Sequence, residues 1–405
     1  MTHRTLWRLF GLAWLALVGW LTLRSAPDQA SRVADLSWHC VFCGDSGGAD
    51  FILNILLFLP LGFAARGLGW SWRTTMLVIV PITLAIETTQ GLWLVGRDAA
   101  LGDVLANSLG GAVGWLLLPI AATLIGPPTP AQASRALWPV VAVTIAIWLA
   151  TAFGFQPALS DAGPYVGQIT HHWPYQDPFP GKVTDASLDG IAVPNDPLAD
   201  LPAARHSVVL HLTAERTAAP PRHRSASLLR VVDADGVAQV TVNERDGDLL
   251  FQGLLRASHW HLHTPTWRFQ GALALPLHTP APLEVQMTAR AVALSGAANS
   301  YARTLTPSIG RGWAFIHPFV ATISKDDQLW TVLWLGWWFG LIGWLAGACS
   351  MRAVVSTTVA AAAAFAAASW LGGVSLVPWE LLVGTAALLI LAGAATRIRR
   401  QRPSN

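Results

Sequence analysis

Eight stretches of mainly apolar residues, most of them close to 20 residues long, dominate the sequence. A helix needs about 20 such residues to cross a bilayer, because each residue rises about 1.5 Å through a hydrocarbon core about 30 Å thick. The 405-residue chain is 53% hydrophobic and only 12% charged, about half the charged fraction of soluble proteins. The sequence therefore predicts a multi-pass α-helical membrane bundle. Its predicted spans are 6–23, 51–65, 75–95, 103–125, 137–155, 329–349, 353–371 and 379–395.

The composition changes between the fifth and sixth apolar stretches. Charged residues of both signs appear there, and β-rich segments lie at 207–213, 225–232, 237–244 and 283–292. Asp-Gly pairs at 235–236 and 246–247 favour hairpin turns, whereas the Pro- and aromatic-rich stretch 165–182 is expected to be irregular. We therefore predict an all-β sandwich of jelly-roll type at 157–325, between a helical domain at 1–156 and a C-terminal helical region at 326–405.

The distribution of arginine predicts the orientation. If the N-terminus lies inside, the short inside segments carry ten arginines and no Asp or Glu, while the short outside loops carry three arginines. Positive charge resists translocation, so both termini are expected in the cytoplasm and the sandwich outside it. The net charge of +3 comes from dispersed basic residues, which argues against a nucleic-acid partner.

Polar and charged side chains interrupt the second to fourth apolar stretches. A carboxylate inside a membrane helix costs about 2.5–3.5 kcal/mol, so such residues usually face the bundle interior and have a function. On the predicted topology all of them lie toward the outer membrane face. The candidates are Asn54, Glu87, Gln90, Asp103 and Asn107, with Arg97 in the turn between the third and fourth stretches.

Helical spacing groups these candidates. Glu87 and Gln90 share one helix face, as do Asp103 and Asn107. Because the turn 96–102 is short, the two helices that it joins must be antiparallel neighbours, and we expect Arg97 at the mouth of a site with Glu87 below it and Asp103 beside it. A structural ion pair between Glu87 and Arg97 is the simpler alternative.

Two glycines follow Asn107 at small-xxx-small spacing. Gly110 and Gly114 would leave one helix face without side chains, so another helix can approach it closely.

Together these residues resemble the VanZ-like membrane family, whose namesake is associated with teicoplanin resistance. The resemblance covers about 50–115: the segment NILLFLPLGF at 54–63, Glu87 and Gln90, Arg97, then Asp103 and Asn107. In one respect the chain departs from the family, because Ala100 stands where many members carry Asp. The resemblance implies a bacterial cytoplasmic-membrane protein with a cell-envelope role and no defined reaction. We expect no cofactor.

Three functions remain open from the sequence. In the first, the polar residues bind a membrane lipid head group, a lipid-linked glycan or a glycopeptide, and Arg97 suits a phosphate because guanidinium pairs with it bidentately. In the second, the protein is an enzyme acting on a lipid-linked precursor, with Glu87 or Asp103 as acid or base. In the third, the polar residues only hold a structural scaffold together.

Two further motifs lie outside this group. Cys40 and Cys43 suggest a disulfide ahead of a metal site or a redox centre, because zinc would need two more ligands. His259, His261 and His263 would share one face of a strand, where a metal is the minor alternative to an exposed face, with Trp260 and Leu262 turned toward the core. The sandwich also resembles concanavalin-like and laminin-G-like jelly rolls, which implies recognition of a surface polysaccharide or protein.

Overall fold

The computed structural model confirms the helical spans. It describes residues 3–25, 38–42, 44, 46–97, 99–125, 128–158, 164–170, 176–193, 197–198, 207–218, 225–296, 301–317 and 322–401. In these residues eight helices are long and apolar enough to cross a membrane. They are α1 (His3–Thr22), α2 (Gly47–Gly67), α3 (Trp72–Trp93), α4 (Leu101–Ile125), α5 (Pro130–Gly154), α6 (Gln328–Cys349), α7 (Met351–Gly372) and α8 (Pro378–Gln401).

Local sequence signals fix several helix ends. Ser71 and Ser350 precede α3 and α7, and their hydroxyls accept the backbone N–H groups of Thr74 and Ala353, each at 3.1 Å. Such serine caps satisfy one of the four N–H groups that every helix start leaves unpaired.

The described chain divides into two compact units. The first comprises Met1–Ala136 with Ala395–Asn405, and the second comprises Leu137–Ala394. The first unit therefore holds α1 to α4, and the second holds most of α5, the β-strands, α6, α7 and most of α8.

In the first unit, glycines bring α2 and α4 into close contact, as the small-residue spacing predicts. A Cβ built at Gly110 would lie 2.4 Å from the carbonyl oxygen of Ile55, and one built at Gly114 would lie 2.0 Å from that of Leu59. Since both residue numbers rise together, the two helices run parallel. Glycine is needed here because any side chain would occupy the space of the neighbouring backbone.

The second unit contains fourteen described strands in two sheets. The strands are β1 (Tyr165–Ile169), β2 (Asp177–Pro178), β3 (Gly181–Leu188), β4 (Ile191–Ala192), β5 (Pro197–Leu198), β6 (Ser207–Arg216), β7 (Ala226–Val232), β8 (Ala238–Arg245), β9 (Asp248–Gly253), β10 (Thr266–Phe269), β11 (Pro280–Thr288), β12 (Val292–Gly296), β13 (Tyr301–Leu305) and β14 (Thr322–Ile323). One sheet has the order β14-β10-β9-β8-β7-β1-β5, with β2 beside β7, and the other has the order β13-β12-β11-β6-β3-β4. Most neighbouring strands are antiparallel, while β10–β14 and β2–β7 are parallel.

The two sheets pack face to face. This arrangement confirms the prediction of a helical bundle with a β-sandwich. Alternate residues of β6 and β11 are buried, as expected for strands with one face in a core. Met287 of β11 lies against Gly253 of β9 in the other sheet. Arg216 of β6 also crosses the core and donates to the carboxylate of Glu244 on β8, and both side chains are buried.

Hydrogen bonds attach the sandwich to four helix ends within the second unit. After α5, Gln156 accepts from the N–H of Arg256 at 2.8 Å and donates to the last residue of α7, Gly372, at 3.0 Å. Between α7 and α8, Ser375 donates to the carbonyl of Arg290 at 3.0 Å.

The first turn of α8 forms the most buried of these attachments. Glu380 is 2% exposed, and its carboxylate accepts the hydroxyl of Ser308 at 2.5 Å and the N–H of Gly310 at 3.1 Å. Next to it, Arg311 pairs with Asp327, the residue before α6, at 3.0 Å. Both contacts hold the 3-10 helix Ile309–Phe315 against the helices.

Two expectations about the β-region were wrong. Tyr165–Ile169 is a strand and not irregular, because it pairs with β7 over four residues. His259 lies in the 3-10 helix Arg256–Trp260, and His261 ends it with a left-handed φ of 54°, so the three histidines do not share a strand face. Trp260 is 44% exposed and does not point into the core.

Candidate functional site

Contacts connect some of the predicted polar residues where α3 ends and α4 begins. The two helices are antiparallel neighbours, as the short turn predicts, because Ile79 of α3 lies against Gly111 of α4 and Glu87 reaches Ala100 just before α4. From the parallel neighbour α2, the amide of Asn54 donates to the carboxylate of Asp103 at 2.6 Å. Three helices therefore contribute to one polar region.

Glu87 closes the N-terminal end of α4. Its side chain is 6% exposed, and its carboxylate accepts the backbone N–H of Ala100 at 3.2 Å. A carboxylate is stabilised at this position because the N–H groups of a helix start carry partial positive charge. At position 100 it is therefore the backbone N–H that meets the neighbouring acid.

The segment 38–42 covers the same helix end. The N–H groups of Leu101 and Gly102 donate to the carbonyls of Trp38 at 2.9 Å and Cys40 at 3.0 Å. A Cβ at Gly102 would lie 2.1 Å from the carbonyl oxygen of Val41, so only glycine permits this approach. Cys40 is disulfide-bonded, while Cys43 lies outside the described residues.

Two of the predicted residues bind the C-terminal end of α1. Gln90 donates to the carbonyl of Thr22 at 2.9 Å, and Arg97 donates to the carbonyls of Arg24 at 3.1 Å and Leu21 at 3.4 Å. The last carbonyls of a helix have no intrahelical partner, and a cation is favourable there. Arg97 therefore holds the end of α1, a contact that the sequence did not predict.

Asn107 differs from the other candidates because part of its side chain is unsatisfied. It is 2% exposed, and its Oδ1 has no hydrogen-bond partner among the described residues. The same holds for Oγ1 of Thr83, which is fully buried. Since Ile79 and Gly111 are in contact on antiparallel helices, Thr83 and Asn107 lie one turn further toward the polar end on each helix. Thr83 was missed because one hydroxyl in an apolar stretch is an ordinary feature; its position four residues before Glu87 was the available signal.

We call Asn54, Glu87, Asp103 and Asn107 the polar cluster. It combines two carboxylates with two amides, so it can accept hydrogen bonds from hydroxyl, amine or amide groups and donate from the amides. Among the described residues, no group of three or more His, Cys, Asp or Glu side chains has the arrangement needed to hold a metal ion. This finding applies also to the three histidines of 259–263.

Residues 11–122 match the family model VanZ/LLP1. This part of the chain is similar to the VanZ-like family. The match includes the second half of α1, all of α2 and α3, all of the polar cluster and most of α4, and it ends before the β-sandwich. Searches of curated proteins and of solved structures gave no significant match. The VanZ-like region is therefore a set of membrane-spanning helices that carries the polar cluster.

Proposed function

We propose that this VanZ-like protein binds the polar head of an envelope lipid, a lipid-linked glycan or a glycopeptide at the polar cluster. On the topology predicted from the arginines, the cluster lies toward the outer face of a bacterial cytoplasmic membrane, where such molecules are found. The proposal includes a link to glycopeptide resistance and a recognition role for the external sandwich.

The unpaired oxygen of Asn107 carries this proposal. A buried acceptor without a partner costs about 1–3 kcal/mol relative to one that is paired. A fold that only needed to pack α4 against α2 and α3 would be more stable with an apolar side chain at that position. A ligand hydroxyl or amine would instead supply the missing donor. Binding would then relieve the unfavourable free energy of the unpaired oxygen and so strengthen the affinity for the ligand.

The other polar residues divide into two groups on this proposal. Asn54 and Asp103 bind one another across α2 and α4, and Asp103 lies one turn before Asn107 on α4, so they would orient the ligand. Gln90 and Arg97 bind the end of α1 and would act on the ligand only through the position of that helix.

A structural scaffold is the second candidate function, and the same hydrogen bonds favour it. Asn54, Glu87, Gln90 and Arg97 each contact another part of the first unit, which is what a scaffold requires. The two functions differ in what they predict for Asn107, because a scaffold gains nothing from an unpaired oxygen.

The experiment is the substitution Asn107→Leu, which keeps the approximate volume and removes the unpaired group. We expect the variant to melt at the same temperature as the wild type or higher, while losing lipid-linked species that co-purify in native mass spectrometry and losing any effect on teicoplanin susceptibility. Thr144→Val is the matched control, because Thr144 of α5 also has a fully buried, unpaired hydroxyl but lies outside the cluster. It should gain stability and keep both properties.

Full retention of both properties in Asn107→Leu would support the scaffold and refute binding at the cluster. The orientation has its own test: reporter fusions at Gly69, Pro128 and the C-terminus should read cytoplasmic, and a fusion at Asp235 should read external. A cytoplasmic reading at Asp235 would place the polar cluster at the wrong membrane face.

A further inference from the structure

An open cleft of about 280 Å³ lies on the outward face of the six-stranded sheet. Its polar lining comes from four strands: Asp185 on β3, His211 and Thr213 on β6, Glu284 on β11 and Ser295 on β12. The opposite face of these strands carries the sandwich core, including Leu212 and Leu283, whose side chains are nearly fully buried. The cleft is therefore a feature of the exposed sheet face.

Strand register brings three of these side chains into one row. Glu284 is the direct partner of His211 on one side and of Ser295 on the other. Directly opposite side chains on neighbouring strands lie about 4.5–5.5 Å apart at Cβ, so they can contact the same ligand. His211 Nδ1 lies 3.4 Å from a carboxylate oxygen of Glu284, and both side chains are about half exposed, at 46% and 45%.

A break in the strand directs Asp185 into the cleft. The register of β3 against β6 shifts between Thr184 and Ser187, and Asp185 has a left-handed φ of 52°. An extra residue of this kind bends a strand and re-aims its side chain, which would otherwise follow the alternation of the strand. A second carboxylate thus joins the row formed by Glu284.

The lining selects for a ligand rich in hydroxyl groups. Two carboxylates accept hydrogen bonds from paired hydroxyls, two side-chain hydroxyls both donate and accept, and the imidazole of His211 does either at its two nitrogens. Small-molecule pockets usually measure about 300–1,000 Å³, so a cleft just below that range suits a single sugar ring. Because the cleft is open, the ring can belong to a longer chain.

The cleft lies away from the attachment of the sandwich to the helices. The hairpin between β11 and β12 is attached at Arg290, whose carbonyl binds Ser375 before α8. Glu284 comes six residues earlier on β11, which corresponds to about 20 Å along an extended strand. A polymer at the cleft is therefore clear of this attachment.

We propose that this cleft binds a saccharide unit of an envelope polymer, with Asp185, His211, Glu284 and Ser295 as the contacting side chains. The inference rests on the proposed recognition role of the sandwich, and it names the site and the ligand class. It does not depend on what the polar cluster binds.

The test uses the full chain in detergent micelles on an array of neutral, amino and acidic oligosaccharides, followed by titration of the strongest binder. We expect saccharide binding that weakens at least tenfold in Glu284→Ala and in Asp185→Ala, and that is abolished by Ser295→Trp, which fills the cleft. Gln286→Ala is the matched control, because Gln286 is exposed on the same strand and face, two residues from Glu284. It should bind like the wild type.

Three results would overturn the inference: no binding to any oligosaccharide at millimolar concentration, binding by Glu284→Ala and Asp185→Ala within twofold of the wild type, or equally strong binding of a polyamine without sugar rings. Circular dichroism and melting of each variant show whether it is folded. Asn107→Leu separates the two proposals, since it should leave saccharide binding at the cleft unchanged even where it removes the co-purifying lipid.

Discussion

Adding one methyl group at Gly114 should separate α2 from α4. In Gly114→Ala the new Cβ would meet the carbonyl oxygen of Leu59 at 2.0 Å, and in Gly110→Ala it would meet that of Ile55 at 2.4 Å. Both obstacles are backbone atoms, which cannot rotate away as the end of a long side chain can. The helices must therefore move.

The size of the effect follows from these distances. Ordinary contact begins at 3.4 Å, so α2 and α4 would have to separate by about 1.4 Å at Gly114 and about 1.0 Å at Gly110. Over-packing of this kind typically costs about 1–3 kcal/mol. We expect a loss at the upper end of that range for Gly114→Ala and a smaller loss for Gly110→Ala. The hydrogen bond between Asn54 and Asp103 crosses the same interface, so the polar cluster should loosen as well.

The assay is thermal and denaturant-induced unfolding of the purified protein in one detergent. Gly19→Ala is the control, because a Cβ there would meet only the flexible end of Leu23, at 4.0 Å. Alanine should be neutral or stabilising in that helix, by up to about 1 kcal/mol. Equal stability of Gly114→Ala and Gly19→Ala would show that the α2–α4 contact is not the tight interface described above.

Two more predictions concern the second unit. Glu380→Ala should lower the unfolding midpoint clearly more than Glu380→Gln, because it leaves the buried hydroxyl of Ser308 and the N–H of Gly310 without an acceptor; the melting curves of the two variants decide this. Burial raises the pKa of Glu244 above 4.5 even though Arg216 opposes the shift, so the folded state binds this proton more tightly than the unfolded state does. The contribution of Glu244 to stability should therefore be largest below pH 4.5 and fall as the pH rises through the folded pKa. Over that interval the stability advantage of the wild type over Glu244→Gln should shrink. An advantage that grows with pH would contradict this prediction.

The sequence was sufficient to predict features that depend on local composition. Apolar length alone placed all eight spans, although the second helix begins at Gly47 and not at 51. Glycine spacing predicted the close approach at Gly110 and Gly114, because a missing side chain has the same consequence in any packing arrangement. The alternating segments of β6 and β11 likewise indicated strands with one buried face.

Features that depend on distant partners could not be predicted. The HWHLH segment alternates as a strand would, but the N–H of His261 turns back to Ser258 and the N–H of Leu262 to Ala257, so a 3-10 turn wins over the extended form. Tyr165–Ile169 looks irregular in a Pro-rich context, yet it completes the sheet beside β7. In both cases the periodicity of apolar residues in the sequence does not reveal the hydrogen bonds that decide the structure.

The polar cluster shows the same division. The short turn correctly made α3 and α4 neighbours, whereas the grouping of Asp103 with Asn107 on one helix face stays a prediction. Charge alone suggested that Arg97 would bind the acids, since opposite charges nearby attract. The sequence could not show that the end of α1 would present unpaired carbonyls to it at 3.1 and 3.4 Å.

This contact leads to a prediction about Arg97 itself. Two guanidinium nitrogens donate hydrogen bonds to two carbonyls. Arg97→Ala removes both hydrogen bonds, while the lysine of Arg97→Lys can replace one of them. Hydrogen bonds from charged groups contribute about 1.5–3 kcal/mol each when well buried, and Arg97 is only half-buried, so we expect a loss of about 1–2 kcal/mol in the alanine variant. The loss should appear as faster hydrogen–deuterium exchange over residues 18–24, with Arg97→Lys intermediate and Gln90→Ala similar to Arg97→Ala because it frees the carbonyl of Thr22. If Arg97 instead held the ligand phosphate, Arg97→Ala would lose the co-purifying lipid while exchange at the end of α1 stayed unchanged. That result would return Arg97 to the binding site and remove its role as the residue that secures α1.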